Sequence, residues 1–193
     1  KQFQTEIAEK CLHENTAVIL PTGLGKTIIA FLVIAQVLPK KILFLAPTKP
    51  LVMQHYEKCI NFLAVEKEKI ALVTGSIAKK KRQKLYNDST IIVATPQTVA
   101  NDIKNKAIDI NTFRLVIFDE MHKAVEKYAY VGTAEKFNGR ILGLTASPSS
   151  KKQKINKILE NLKITNIESR VREDIDVMHH VKDIELNLVK ITL

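Results

Sequence analysis

The chain has 193 residues, of which 46% are apolar, and it carries a formal net charge of +10. This length and apolar fraction predict one globular domain and exclude an intrinsically disordered protein. Its two cysteines exclude a disulfide framework and a cysteine-rich metal site, which indicates a reducing, intracellular setting.

The apolar runs and the basic charge bear on the partners of the protein. The longest apolar run, residues 28–37, contains a glutamine and is too short to cross a bilayer, so we expect no membrane partner. The positive charge favours a polyanion such as nucleic acid. A lysine-rich surface without a specific partner explains the same charge equally well, since lysines far outnumber arginines.

Short apolar runs alternate with helical patterns along the chain. Continuous runs of Ile, Val and Leu are typical of strands that are covered on both faces. Six such runs are predicted strands: 17–20, 42–46, 70–73, 91–94, 115–118 and 141–144. The alternation predicts an α/β fold with a mostly parallel sheet flanked by helices, in which ligands bind beyond the carboxyl ends of the strands.

The pattern changes after residue 150. Residues 151–163 are predicted as a helix, and residues 164–170 and 184–193 as two polar β-like segments. We therefore divide the chain into a domain at 1–150 and a segment at 151–193. This segment either completes the domain or leads to a further one.

A glycine-containing loop follows the first predicted strand and opens an apolar helix. Gly23 and Gly25 let backbone N–H groups converge on an anion, and the helix N-terminus adds its positive end. Lys26 is then placed to reach the β- and γ-phosphates of a nucleotide, and the Thr27 hydroxyl to ligate Mg²⁺. The strict phosphate-loop pattern is incomplete, because Leu20 stands where its first glycine belongs. The predicted nucleotide-binding residues of this loop are Thr22, Gly23, Leu24, Gly25, Lys26 and Thr27.

Two consecutive carboxylates end the fifth predicted strand. Asp119 provides a second metal-coordinating group beside the phosphate loop, and Glu120 orients or deprotonates an attacking water. An acidic helix N-terminus is the alternative interpretation, but it does not account for the pairing with the loop. His122 either forms a hydrogen bond to the hydroxyls of residues 145–147 or is a partly exposed helix residue.

Several segments resemble, in order, the motifs of superfamily-two helicases of the DExH type. These are 46–50 (APTKP, motif Ia), 74–75 (TG) and 94–98 (ATPQT) as further strand-contacting motifs, 119–122 (DEMH, motif II) and 143–148 (GLTASP, motif III). The closest resemblance is to the helicase part of archaeal Hef helicase-nucleases, which are related to the Fanconi-anaemia M protein. It is carried by 45–52 (LAPTKPLV), 93–98 (VATPQT), 101–102 (ND), 122–125 (HKAV) and 128–130 (YAY).

The resemblance implies a RecA-like P-loop domain, the first motor domain of a DNA helicase or translocase that acts on branched or forked DNA. It implies ATP and Mg²⁺ as cofactors and a second RecA-like domain of the same full-length chain as partner. It also implies a cytoplasmic localisation, in association with the nucleoid. Because arginine fingers would come from that second domain, we expect the isolated chain to bind nucleotide weakly and to hydrolyse it poorly.

The same resemblance implies roles for individual residues. Lys26, Asp119, Glu120 and His122 are the implied catalytic residues, with Thr27 and Asp119 at the metal. Gln4 is expected to contact adenine, although Lys1 replaces the arginine of the family. The implied contacts to the DNA backbone are Pro47, Thr48, Lys49, Gly75, Thr95 and Pro96. Thr145 and Ser147 are expected to couple the ATP site to the DNA.

Three other functions remain open at this point. An RNA-sensing or RNA-remodelling relative would use the same loops, and a non-catalytic nucleic-acid-binding module would keep a vestigial loop. A small-molecule kinase would have a similar length but needs neither Glu120 nor the motif at 143–148. The basic run 79–84 is interpreted as a solvated helix face rather than as a DNA patch.

Overall fold

A seven-stranded parallel sheet forms the centre of the computed structural model, which describes residues 2–146 and 152–171. The strands are β1 Thr16–Ile19, β2 Ile42–Leu45, β3 Ile70–Val73, β4 Ile91–Ala94, β5 Leu115–Asp119, β6 Arg140–Thr145 and β7 Asn166–Ser169. They lie in the order β3-β4-β2-β5-β6-β1-β7, and all neighbours run parallel. The carboxyl ends of β1, β2, β5 and β6 therefore meet at one edge.

Helices cover both faces of the sheet. They are α1 Gln2–His13, α2 Lys26–Val37, α3 Lys49–Phe62, α4 Lys79–Asp88, α5 Pro96–Lys104, α6 Ala129–Lys136 and α7 Lys152–Asn161. The apolar side chains of α1, α2 and α3 pack on one face, and those of α4 to α7 pack on the other. Strands covered on both sides read as continuous apolar runs, which is why the sequence pattern located them.

The predicted fold class is confirmed. Strands β3 and β4 coincide with the predicted runs, and β6 extends the predicted run 141–144 by one residue at each end. After α7, β7 pairs in parallel with β1, so the predicted segment 164–170 contains an edge strand of this sheet. The segment 184–193 lies outside the described residues, and the division at residue 150 stays a prediction. Among the described helices, none has the length and apolar character that crossing a membrane requires.

A buried ion pair joins α4 to α5. The Arg82 guanidinium donates to both carboxylate oxygens of Asp102, at 2.7 Å and 2.5 Å, and the Tyr86 hydroxyl donates to the same carboxylate at 3.0 Å. The Asp102 side chain is only 1% exposed. The other basic residues of the run 79–84 are exposed, as expected for a solvated helix face. Arg82 is the exception, because its guanidinium is bound to Asp102 and is mostly shielded from solvent.

We expect Arg82→Ala to lower the free energy of unfolding by about 3 kcal/mol, because it leaves the Asp102 carboxylate buried without its counter-charge. Denaturant unfolding of the 193-residue chain measures the loss. Lys84→Ala, at an exposed position of the same helix, is the control and should leave the midpoint unchanged. Equal midpoints for the two variants would contradict a stabilising role for the pair.

Candidate functional site

The loop between β1 and α2 has the backbone conformation of an anion cradle. Gly23 and Gly25 have φ angles of 90° and 83°, in the left-handed region that favours glycine. No side chain caps the N-terminus of α2, so a bound anion can take that place. The geometry thus fits the phosphate-binding role predicted for residues 22–27.

Gln4 on α1 packs against this loop. Its side-chain amide donates to the backbone oxygen of Leu24 at 3.2 Å, and the residue is only 5% exposed. A methyl group added at Gly25 would overlap with the amide nitrogen of Gln4. The side chain that the sequence assigned to adenine therefore also supports the phosphate loop. Lys1 lies outside the described residues.

Lys26 folds over the loop that precedes it. Its ammonium donates to the backbone oxygens of Leu20 at 2.7 Å and Pro21 at 3.4 Å. Burial lowers the pKa of Lys26, and the opposing charges of Glu120 and Asp119 raise it. The Lys26 ammonium is thus held by the loop backbone and lies within electrostatic reach of the carboxylate pair.

The carboxylate pair lies at the end of β5, between β2 and β6. Asp119 is 8% exposed, and its Oδ2 lies 2.7 Å from Nε2 of His55 on α3. Glu120 has φ 51° and ψ 50°, a left-handed conformation that strains a residue with a side chain. Such strain is typical of functional sites, and here it turns the chain sharply after Asp119.

His122 connects the carboxylate pair to the end of β6. Its Nδ1 lies 3.2 Å from Glu120 Oε2 and 3.0 Å from Thr145 Oγ1. One interpretation of the sequence expected His122 to form a hydrogen bond to the hydroxyls of residues 145–147, and its contact with Thr145 agrees with it. The other expected a partly exposed ring, which the structure also shows. Ser147, the second residue of the predicted coupling pair, lies outside the described residues.

Tyr130 on α6 forms hydrogen bonds to the backbone at the ends of β5 and β2. Its buried hydroxyl donates to the backbone oxygens of Asp119 at 2.6 Å and Leu45 at 3.3 Å. Burial raises the pKa of Tyr130 well above its ordinary value, so the phenol stays protonated and keeps donating. The ends of β5 and β2 are thereby tied to one side chain on α6.

We expect Tyr130→Phe to lower the free energy of unfolding by about 1–2 kcal/mol, because two buried carbonyl groups lose their shared donor. A shifted denaturation midpoint with an unchanged m-value would identify the loss as one of stability. Tyr128→Phe, at a partly exposed neighbouring ring, should have a smaller effect. An equal shift in both variants would contradict the assigned role of the Tyr130 hydroxyl.

The predicted DNA-contacting residues lie at the carboxyl ends of β2, β3 and β4 and differ in exposure. Thr48 caps α3 by accepting from the Leu51 N–H at 3.5 Å. Thr48, Lys49 and Gly75 are exposed, and Pro47 is partly exposed. Thr95 and Pro96 are buried.

The hydroxyl of Thr95 forms a hydrogen bond with Thr98 at 2.8 Å, so it supports the loop rather than facing solvent. Gln97 is exposed at the same turn. Sequence reasoning did not select Gln97, and its place directly after the predicted contacts Thr95 and Pro96 was the available signal.

No role was assigned to His55 from the sequence. The signal that could have found it is chemical, since a histidine on a buried helix face needs a polar partner. Asp119 is that partner.

An open cleft of about 720 Å³ unites the phosphate loop with the carboxylate pair. Within the described residues, no group of three or more His, Cys, Asp or Glu side chains could hold a metal ion by itself. Mg²⁺ is commonly bound by one or two carboxylates together with substrate phosphates. Thr27 and Asp119 both line the cleft, so the residues present fit a Mg²⁺ ion shared with a nucleotide.

Comparison with known proteins shows that the chain is similar to one protein family and to several named helicases. Residues 1–150 match the family model for the res subunit of type III restriction enzymes, ResIII. A Methanocaldococcus jannaschii protein named as an ATP-dependent RNA helicase is 43% identical over 99% of this chain and 25% of its own length. The ATP-dependent DNA helicase fml1 of Schizosaccharomyces pombe is 36% identical over 100% of this chain and 24% of its own length.

A solved structure is similar as well. The crystal structure of the Pyrococcus furiosus Hef helicase domain superposes with a TM-score of 0.88 at 40% identity, over 91% of this chain and 39% of that one. The chain thus spans about a quarter of the length of the curated relatives described above.

Proposed function

Since the chain belongs to the ResIII family, we propose that it is the ATP-binding motor domain of a DNA helicase or translocase that acts on branched or forked DNA. The observation that carries this proposal is the shared cleft, which is lined both by the phosphate loop with Lys26 and by Asp119 and Glu120. A phosphate cradle paired with a water-activating carboxylate supports hydrolysis rather than mere binding.

Each residue then has a defined task. The loop at 22–27 binds the phosphates of ATP, and Lys26 exchanges its backbone acceptors for phosphate oxygens. Glu120 accepts a proton from the attacking water. Thr27 and Asp119 would hold Mg²⁺, which supplies charge neutralisation on the phosphates when bound. His122 contacts both Glu120 and Thr145, so a change in the position of Glu120 on nucleotide binding would also move the end of β6.

The rest of the motor lies in the longer protein. We propose a second RecA-like domain of the same chain, which closes the open side of the cleft and supplies arginine fingers. In this scheme residues 1–150 form the first motor domain, and 151–193 complete it or lead onward. A site of action on chromosomal DNA would place the protein in the cytoplasm, near the nucleoid.

DNA is the proposed track because fml1 and other relatives carry the name of DNA helicases. RNA is the second candidate, since the M. jannaschii relative is named as an RNA helicase. Exposed hydroxyl, lysine and glycine positions at the strand ends suit contacts to a backbone that either nucleic acid provides.

The test compares ATP turnover by the full-length protein with forked DNA, with double-stranded RNA and with neither. We expect the forked DNA to stimulate turnover most, and the stimulation to fall as salt rises, because the contacts are to phosphates. Stimulation by RNA alone would support the second candidate. Turnover that neither nucleic acid changes would contradict a motor function.

A further inference from the structure

His55 is a buried polar residue in contact with the candidate metal ligand. It lies on α3, and its Nε2 is 2.7 Å from Oδ2 of Asp119. The two side chains are only 5% and 11% exposed. A hydrogen bond shielded in this way does not compete with bulk water, so it fixes the orientation of the carboxylate.

The face of the imidazole ring is also in contact with another aromatic ring. It packs on Phe44 of β2, with the ring centroids 4.4 Å apart and the planes 33° apart. Its second nitrogen, Nδ1, is buried and has no hydrogen-bond partner among the described residues. Since an orphaned N–H is rarer in proteins than an orphaned acceptor, the proton belongs on Nε2, which donates to Asp119.

This arrangement is not the one that packing alone would favour. The other buried residues of α3 are Val52 and Cys59, and an apolar residue at position 55 would leave no unsatisfied nitrogen. An unsatisfied buried polar atom destabilises the folded protein. The contact with Asp119 is the compensating interaction in the structure, which points to a functional reason for the histidine.

We propose that His55 is a positioning residue for the metal-holding carboxylate and a link between the nucleotide site and the DNA-contacting edge. By binding Oδ2, it leaves Oδ1 of Asp119 for the metal and its water shell. This inference rests on the function proposed above and assigns a determinant of metal binding within that site.

The link follows from where α3 begins. Thr48 caps this helix and Lys49 is its first residue, so both predicted DNA contacts belong to the same rigid element as His55. A helix rises about 1.5 Å per residue, so His55 lies about 10 Å from the capped end. A shift of α3 on binding DNA would therefore move the donor that holds Asp119.

Two substitutions separate the hydrogen bond from the packing of the ring. His55→Phe keeps an aromatic ring against Phe44 but removes the donor. His55→Gln removes the ring but places an amide donor near the position of Nε2. The full-length proteins are compared by the affinity of a fluorescent ATP analogue in Mg²⁺ and in EDTA, and by melting without nucleotide.

We expect His55→Phe to weaken binding in Mg²⁺ by about tenfold, the low end of what loss of an outer-shell partner costs a metal site. Its affinity in EDTA should equal that of the wild-type protein. His55→Gln should regain most of the lost affinity. The ratio of DNA-stimulated to basal turnover should fall in His55→Phe and recover in His55→Gln.

Two results would overturn the inference. One is that His55→Phe matches the wild-type protein in Mg²⁺. The other is that both variants lose affinity equally in Mg²⁺ and EDTA and melt at a lower temperature. The second pattern would assign His55 to packing alone. If the wild-type protein itself shows no Mg²⁺-dependent binding, the proposed nucleotide function fails first, and the wild-type control makes that failure distinguishable.

Discussion

We expect Glu120→Gln to abolish ATP turnover in the full-length protein and to leave nucleotide binding close to the wild-type level. Positioned general bases contribute about 10²–10⁴-fold to rate, and glutamine cannot accept the proton of the attacking water. Glutamine has the same length and shape as glutamate, so the loop after β5 keeps its form. Lys26 and the phosphate loop, which bind the nucleotide in the proposed scheme, are not altered.

The position of Glu120 makes this expectation specific. The backbone at φ 51° and ψ 50° turns its side chain into the cleft, where the carboxylate also meets His122 at 3.2 Å. A steady-state ATPase assay gives the rate, and binding of a fluorescent ATP analogue gives the affinity. The variant should therefore hold ATP without consuming it.

A matched control is available a few residues further on. Glu126 also has φ 51°, is exposed, and lies outside the residues that line the cleft. Glu126→Gln should retain full turnover, because it removes the same charge at an equally unusual backbone angle. Turnover that persists in Glu120→Gln, or that falls equally in both variants, would contradict the assigned role.

The sequence was sufficient to predict functional residues that lie next to one another in the chain. Gly23, Gly25, Lys26 and Thr27 are neighbours in the chain, so a short pattern after an apolar run was sufficient to locate the loop. Asp119 and Glu120 were found in the same way, as polar residues that interrupt a buried strand. The resemblance to Hef-type helicases is confirmed by the family match and by the similar crystal structure.

Most contacts between distant segments could not be predicted, although the contact of His122 with Thr145 was one of the two interpretations of the sequence. Gln4 lies 20 residues from Leu24, and His55 lies 64 residues from Asp119, yet each pair is hydrogen-bonded. Nothing in the sequence around His55 identified the acceptor that it meets in the folded chain. The burial of Thr95 was also missed, although its hydrogen-bond partner, Thr98, is only three residues away.

Gly25→Ala is expected to weaken nucleotide binding by about 10- to 300-fold. The residue has φ 83° and ψ 34°, a conformation that costs a residue with a side chain about 1–2 kcal/mol. The new methyl group would also overlap with the Gln4 amide nitrogen, which holds the Leu24 carbonyl. Losing that hydrogen bond adds about 0.5–1.5 kcal/mol, and each 1.4 kcal/mol is tenfold in affinity.

Other glycines of the chain separate these two causes. Gly23 has φ 90° but open space around it, so Gly23→Ala reports the backbone strain alone, about tenfold for a cost of 1–2 kcal/mol. Gly132 lies in α6 with open space and no positive φ, and Gly132→Ala should leave binding unchanged. Adding Gln4→Ala to Gly25→Ala removes the overlap, but the Leu24 carbonyl still lacks its donor. With inorganic triphosphate as the ligand, which has no adenine for Gln4 to contact, the double variant should therefore stay weaker than Gly23→Ala if Gln4 supports the loop. Equal affinities would mean that backbone strain accounts for the whole loss.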